Sequence, residues 1–210
     1  AMIVALTLGL PPGIISAIRR NTVTDTIVMI LALAGLSTPE FLLGLVLIYV
    51  FAVRLGWFPV GGYVPLTRDL VEGLRHLIMP CFTLGVIWAA YIARMTRATM
   101  LDVLGREYIT TARAKGLVER IVIWKHALRV AVAPITTVVG FVMVLIVSGA
   151  FITEIVFSLP GMGNLVVNSV LKRDYPVVQG AMLLIATGIL LINLLIDLLY
   201  AYLDPRIKYE

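Results

Sequence analysis

This 210-residue chain has little of what builds a reactive site. Its single cysteine, Cys81, excludes an internal disulfide and every zinc or iron-sulfur centre made from several thiolates. The two histidines, His76 and His126, lie 50 positions apart with no ligand spacing around them, so neither a metal site nor a bound cofactor is expected. No Gly-x-x-x-x-Gly-Lys-Ser/Thr loop is present to cradle phosphates, since the stretch from Gly105 to Gly116 is helix-forming and wrongly spaced. No Ser-His-Asp or Cys-His set points to a hydrolase, so no catalytic residue is assigned. Charge is scarce as well, at 14% of residues. With 60% hydrophobic residues and a mean hydropathy of +1.02, the chain carries more apolar side chain than a soluble core of this size can bury. Its solvent is lipid. The formal charge of +5 belongs with the basic flanks of membrane spans, and no nucleic-acid partner is expected.

A spanning helix needs about 20 mostly apolar residues, and five segments qualify or nearly so: 1–18, 26–53, 77–93, 131–153 and 177–203. This predicts an all-α, polytopic membrane protein, with residues 1–210 forming a single transmembrane domain. Gly9, Pro11, Pro12 and Gly13 in the first segment are tolerated between membrane helices as kinks and close-packing points, and predict a bent span. The third segment is short before Arg94, but Arg94 and Arg97 can snorkel, so its helix is expected to continue into water. Residues 19–25, 94–129 and the tail after 203 hold twelve of the seventeen Lys and Arg and are expected to face the cytoplasm, the C-terminus included. Five spans then place Ala1 outside, which predicts a further N-terminal span.

The outer connections differ in character. "RLGWFPVGGYVPLTRDLVEGLRH", residues 54–76, reads as an aromatic interfacial anchor leading into turns, and 157–176 reads as a tight Pro-Gly turn followed by a short amphipathic helix. Both suit structural anchoring, or else a docking surface for an outside partner.

One charged island interrupts the apolar chain. "REYITTARAKGLVERIVIWKH", residues 106–126, groups Arg106, Arg113, Lys115, Arg120 and Lys125 around Gly116. At about 100° per residue, Tyr108, Ile109, Ala112 and Gly116 share one helical face. Glu107, Thr110, Thr111 and Ala114 share the opposite one, which is small-sided beside one carboxylate. Small residues admit another backbone, and Arg106, Arg113 and Lys115 at the borders are suited to acidic groups on a partner. Gly116 predicts a left-handed helix end, after which Leu117, Ile121, Trp124 and Leu128 form an apolar stripe on a second helix. An interfacial helix pair that only seals the bundle has the same periodicity.

"EYITTARAKGL", continued by "HALRVAVAPITT", resembles the cytoplasmic EAA loop of permease subunits of binding-protein-dependent ABC importers, in the dipeptide/oligopeptide/nickel branch. Further strings are similar in the same order over nearly the whole chain: "GLSTPEFLLGLVLIYVFAVRLGWFPVGG", "FSLPGMGNL", "RDYPVVQG" and "NLLIDLLYAYLDPRIKY". Against the broader Glu-Ala-Ala-x-x-x-Gly pattern only Ala112 and Gly116 match, while the Thr-Ala-Arg-Ala-Lys-Gly form of 111–116 is the branch's usual version and the closing proline falls later, at Pro134. The resemblance implies the type I ABC importer permease fold with one more N-terminal helix, in a bacterial or archaeal cytoplasmic membrane. It implies that a loop at about 94–130, through Glu107, Thr110, Thr111, Ala112, Arg113, Ala114, Lys115 and Gly116, inserts a coupling helix into a cytoplasmic ATPase. The implied assembly pairs this permease with a second one, two ATPase subunits that use the ATP, and an extracytoplasmic solute-binding protein. The resemblance implies a cargo that is a peptide, a nickel complex, glutathione or one of certain sugars.

Two carboxylates lie inside apolar segments. Asp197, with Asn193 one turn before it, suits polar packing within the last span; Glu40, after Pro39, departs from the small polar residue usual in the branch and is a candidate for the translocation path. The same pair supports a rival reading, a proton-coupled secondary transporter or channel using Glu40 and Asp197. A self-sufficient carrier has no need of the glycine-broken island, which an ATP-driven permease requires.

Overall fold

The computed structural model describes residues 1–203, with side chains through Ile196 and at Leu198. Nine α-helical segments follow in order: α1 (Met2–Ile18), α2 (Val23–Ser37), α3 (Glu40–Leu47), α4 (Leu70–Leu104), α5 (Glu107–Ala114), α6 (Glu119–Ile121), α7 (Leu128–Val156), α8 (Met162–Leu171) and α9 (Tyr175–Leu203). No strand occurs among the described residues. A π-helical turn over Ile48–Arg54 prolongs α3, and another over Val122–Ala127 joins α6 to α7. Three helical stretches are long and apolar enough to cross a membrane: Leu70–Leu104, Glu119–Val156 and Tyr175–Ile196.

The second expected span is not one helix. α2 and α3 are bent by 100° at Thr38 and Pro39, and only as a broken pair do they reach spanning length. Proline disfavours helical backbone in the residue before it, and Thr38 accordingly lies at φ −85°, ψ 121°. The first segment, α1, has 17 residues and stays helical through Pro11 and Pro12. It ends at Ile18, just before Arg19 and Arg20.

The third span is longer than its apolar core at both ends. Asp69 caps α4 by accepting from the Val71 and Glu72 backbone N–H groups at 3.0 Å each, so the helix begins at Leu70, inside the stretch read as loop. It continues beyond Arg94 to Leu104, as the snorkelling argument requires. α1 lies along it through small residues. A Cβ on Gly13 would stand 2.6 Å from the Ala93 carbonyl oxygen, and one on Gly9 2.8 Å from that of Ala89, so neither position accepts a side chain.

At the far end of α4 a buried cluster gathers Ala17 of α1, Met100 and Val103 of α4, Ile109 and Ala112 of α5, and Val122 and Ala127 of the second π turn. At the opposite end, Phe157 packs with Leu47, Ile48 and Met79, and its carbonyl accepts from the Gly62 N–H at 2.9 Å. There the Pro-Gly turn and α8 follow as expected. Glu154 holds the start of α8 by accepting from the Gly163 and Asn164 N–H groups at 2.7 and 3.3 Å.

Candidate functional site

The island folds as helix, break and helix. α5 ends where Gly116 adopts φ +77°, with its N–H on the Arg113 carbonyl at 2.9 Å and the Leu117 N–H on that of Ala112 at 3.3 Å. No other residue type takes that backbone so readily. Ile109 and Ala112 are buried and anchor α5, while Glu107, Thr110, Thr111 and Ala114 are exposed together. The hydroxyl of Thr111 turns back to the Glu107 carbonyl at 3.0 Å, which leaves its methyl group outward and keeps that face shallow.

Two details differ from the sequence reading. Tyr108 and Gly116 share the helical face of Ile109 but remain exposed, so the inward face is narrower than expected. Arg113 is not free for a partner: its Nη2 and Nε donate to the two carboxylate oxygens of Glu119 at 2.6 and 3.1 Å, bridging the glycine turn. On the second helix the apolar stripe faces outward. Trp124 is 56% exposed, with Leu117 and Ile121 also outward, while Val122, Ile123, Ala127 and Ala131 are buried. The π turn over Val122–Ala127 carries the buried residues on its other side.

Glu40 opens α3 at the break, half-buried. Its carboxylate accepts from the hydroxyl of buried Thr153 on α7 and faces Gly149, where a Cβ would lie 3.4 Å from Oε2. One turn on, Gly44 lets α3 approach Val156 and Phe157. The carboxylate therefore sits at the junction of a broken helix with α7. Asn193 is exposed on α9, and Asp197 lies outside the described side chains. Among the described residues no cluster of three or more His, Cys, Asp or Glu stands ready for a metal ion.

The most highly connected polar group is Asp25, which sequence reasoning passed over as the last residue before a span. It is 4% exposed. Arg97 of α4 donates to both its oxygens, from Nε at 2.6 Å and Nη2 at 2.7 Å, and the Ser16 hydroxyl and the Asn21 N–H, the latter at 3.0 Å, complete its shell. The available signal was Thr22-x-x-Asp25 ahead of an apolar run, a helix-start pattern. Thr22 does cap α2, at 3.5 Å from the Asp25 N–H, but the carboxylate reaches past it to Arg97, a partner 72 positions away that no local pattern reveals.

Residues 9–209 match the family described as the inner membrane component of binding-protein-dependent transport systems. The chain belongs to this family. It is 43% identical over its whole length to the di/tripeptide transport system permease protein DppB of Pseudomonas aeruginosa, covering 68% of that protein. It is 46% identical over 98% of its length to a putative peptide permease protein of Brucella ovis, covering 65% of it. The dipeptide transport system permease protein DppB of Escherichia coli K12 is 42% identical over the full chain, with 69% covered. The chain thus spans about two thirds of the length of these relatives. Its fold is that of the MetNI methionine ABC transporter in an inward-facing conformation, matched at a TM-score of 0.74 and 19% identity over 97% of this chain and 89% of that one. The family resemblance and the type I importer permease fold are therefore established, and the chain is a permease subunit without an ATPase site of its own. Membership of a binding-protein-dependent system removes the main support for a self-sufficient carrier.

Proposed function

We propose that the chain is the permease half of an ATP-driven importer for short peptides. It pairs with a second related permease to enclose the path and couples it to two cytoplasmic ATPase subunits. The loop at about 94–130 is the coupling part of one transmembrane domain covering 1–210. The observation that carries this reading is the exposed small face of α5, Thr110, Thr111 and Ala114, held rigidly from behind by buried Ile109 and Ala112. Such a face admits a partner's backbone at close range, and the glycine turn and the Arg113–Glu119 bridge fix its angle to the long helix behind it.

The working cycle follows from the parts. A loaded binding protein docks on the outer turns, ATP draws the two ATPases together, and the two coupling helices move inward with them and open the path outward. Hydrolysis reverses the motion. The ATP stays on the partners. Peptide cargo is supported by the names of the three relatives, all peptide permeases. Glu40, at the helix break and in the middle of the apolar segment, is the residue on the path in this reading, since carboxylates at that depth persist where they face protein or water.

The test is uptake. Cells lacking their own peptide importers and carrying this permease with its encoded partners should accumulate labelled di- and tripeptides, and the binding protein should purify with a peptide. Uptake of a nickel complex or glutathione in place of peptides would overturn the cargo. Uptake that persists when the ATPases cannot hydrolyse ATP would overturn the importer reading in favour of a proton-coupled carrier.

A further inference from the structure

The Asp25 cluster does more than cap a helix, because of where it stands. Arg97 lies two turns before the end of α4, and α4 leads through Gly105 and Arg106 directly into α5. Ser16 donates to Asp25, and the next residue, Ala17, is buried in the same cluster as Ile109 and Ala112, the inward anchors of α5. One side of the α1–α2 turn is therefore tied to α4 by charge, and the other shares, with Met100 and Val103 of α4, the buried cluster that anchors α5. Asn21, at φ 62°, supplies a backbone N–H to the same carboxylate and fixes the turn itself.

We propose that Asp25 and Arg97 are positioning residues for coupling: a buried clasp that makes the α1–α2 turn, the end of α4 and the coupling helix one rigid unit. Movement imposed on α5 then reaches α1 and α2, and through α2 the helix break at Thr38 and Pro39, without being absorbed in a loose turn. The geometry fits this role. Both carboxylate oxygens are engaged from two different helices and a turn, with the guanidinium bidentate, so the joint resists rotation as well as separation. The inference rests on the coupling reading of α5, but the clasp is separately testable.

The experiment uses the complete importer, permease pair, ATPases and binding protein, in lipid nanodiscs. Asp25→Asn and Arg97→Lys are compared with the unaltered complex and with Ala114→Trp. Both clasp variants should keep the ATPases bound, because the docking face is untouched. Hydrolysis stimulated by the loaded binding protein should fall at least tenfold per assembled complex, with basal hydrolysis retained. Ala114→Trp should instead lose the ATPases. In a Cys81→Ala background, spin labels at Arg20→Cys and Asp102→Cys measure the unit directly. Their separation should be the same in nucleotide-free and ATP-trapped states, and should broaden in Arg97→Lys.

Full stimulation in both clasp variants would overturn the proposal, as would a 20–102 separation that changes between states in the unaltered complex. Should Asp25→Asn fail to assemble, Arg97→Lys, which retains the charge, decides by the same readouts. Retention of ATPases and stimulation by Ala114→Trp would count against the coupling reading alone, since the label separation does not depend on what α5 touches.

Discussion

Glu40 is bonded on one side and open on the other. Its Thr153 partner satisfies one carboxylate oxygen, and Gly149 leaves room beside the other. Glutamine keeps an oxygen able to accept from Thr153, so Glu40→Gln should leave the amount of folded complex unchanged and alter peptide uptake per complex. A drop in folded complex with unchanged specific uptake would make it a packing carboxyl instead. Thr153→Val removes the donor to the half-buried Glu40 carboxylate and should lower stability by about 1–3 kcal/mol, read from thermal unfolding in detergent. At Gly13 the limit is steric. A Cβ 2.6 Å from the backbone oxygen of Ala93 has nowhere to go, so Gly13→Val should separate α1 from α4 and cost about 1–3 kcal/mol or more, again as a lower unfolding temperature. Gly188→Ala on α9, with nothing within 4 Å of the added methyl group, is the neutral control.

At the scale of the element, α5 carries the sharpest prediction. Thr111→Trp and Ala114→Trp put bulk on the exposed face that the coupling proposal sets against an ATPase, and Gly116→Val strains a backbone at φ +77°. A loss of about 3 kcal/mol at the ATPase contact weakens it more than a hundredfold. Membrane levels of the permease should stay normal while co-purified ATPase disappears, because no lipid-facing residue has changed. Retention of ATPase binding and stimulated transport by all three variants would leave α5 as an interfacial seal. Removing the Arg113–Glu119 bridge is a different matter. Both side chains are substantially exposed, so Glu119→Ala should shift stability by less than about 1 kcal/mol, and any loss of coupling in that variant reports on the angle of α5. The face of α5 and the stripe of Leu117, Ile121 and Trp124 after Gly116 were both legible in local periodicity; which side of the second helix is buried was decided by the packing of Val122, Ile123 and Ala127.

For the whole molecule, the charge bias makes a prediction about sidedness. With twelve of seventeen basic residues in the segments assigned inward, Arg113→Cys in a Cys81→Ala background should resist an impermeant thiol reagent in sealed cells. Met162→Cys and Val60→Cys should react; Val60 is preferred to Gly62, whose φ of +93° disfavours a side chain. Labelling at 113 from outside would invert the topology and with it the coupling assignment.

Composition and apolar run length by themselves determined that this is an all-α membrane protein, because backbone polar groups in lipid are satisfied only within helices or closed barrels and no alternating strand pattern is present. The glycine end of α5 and its small outward face were equally local, readable from Gly116 and a helical period. Tertiary structure decided what joins distant positions. Pro39 marks a candidate break in the sequence, but the 100° angle between α2 and α3 is seen only in the fold, where α3 lies against Val156 and Phe157 at the end of α7. The partner of Glu40 lies 113 residues away and that of Asp25 72 residues away, and which charge meets which was set by helices that come together only in the fold.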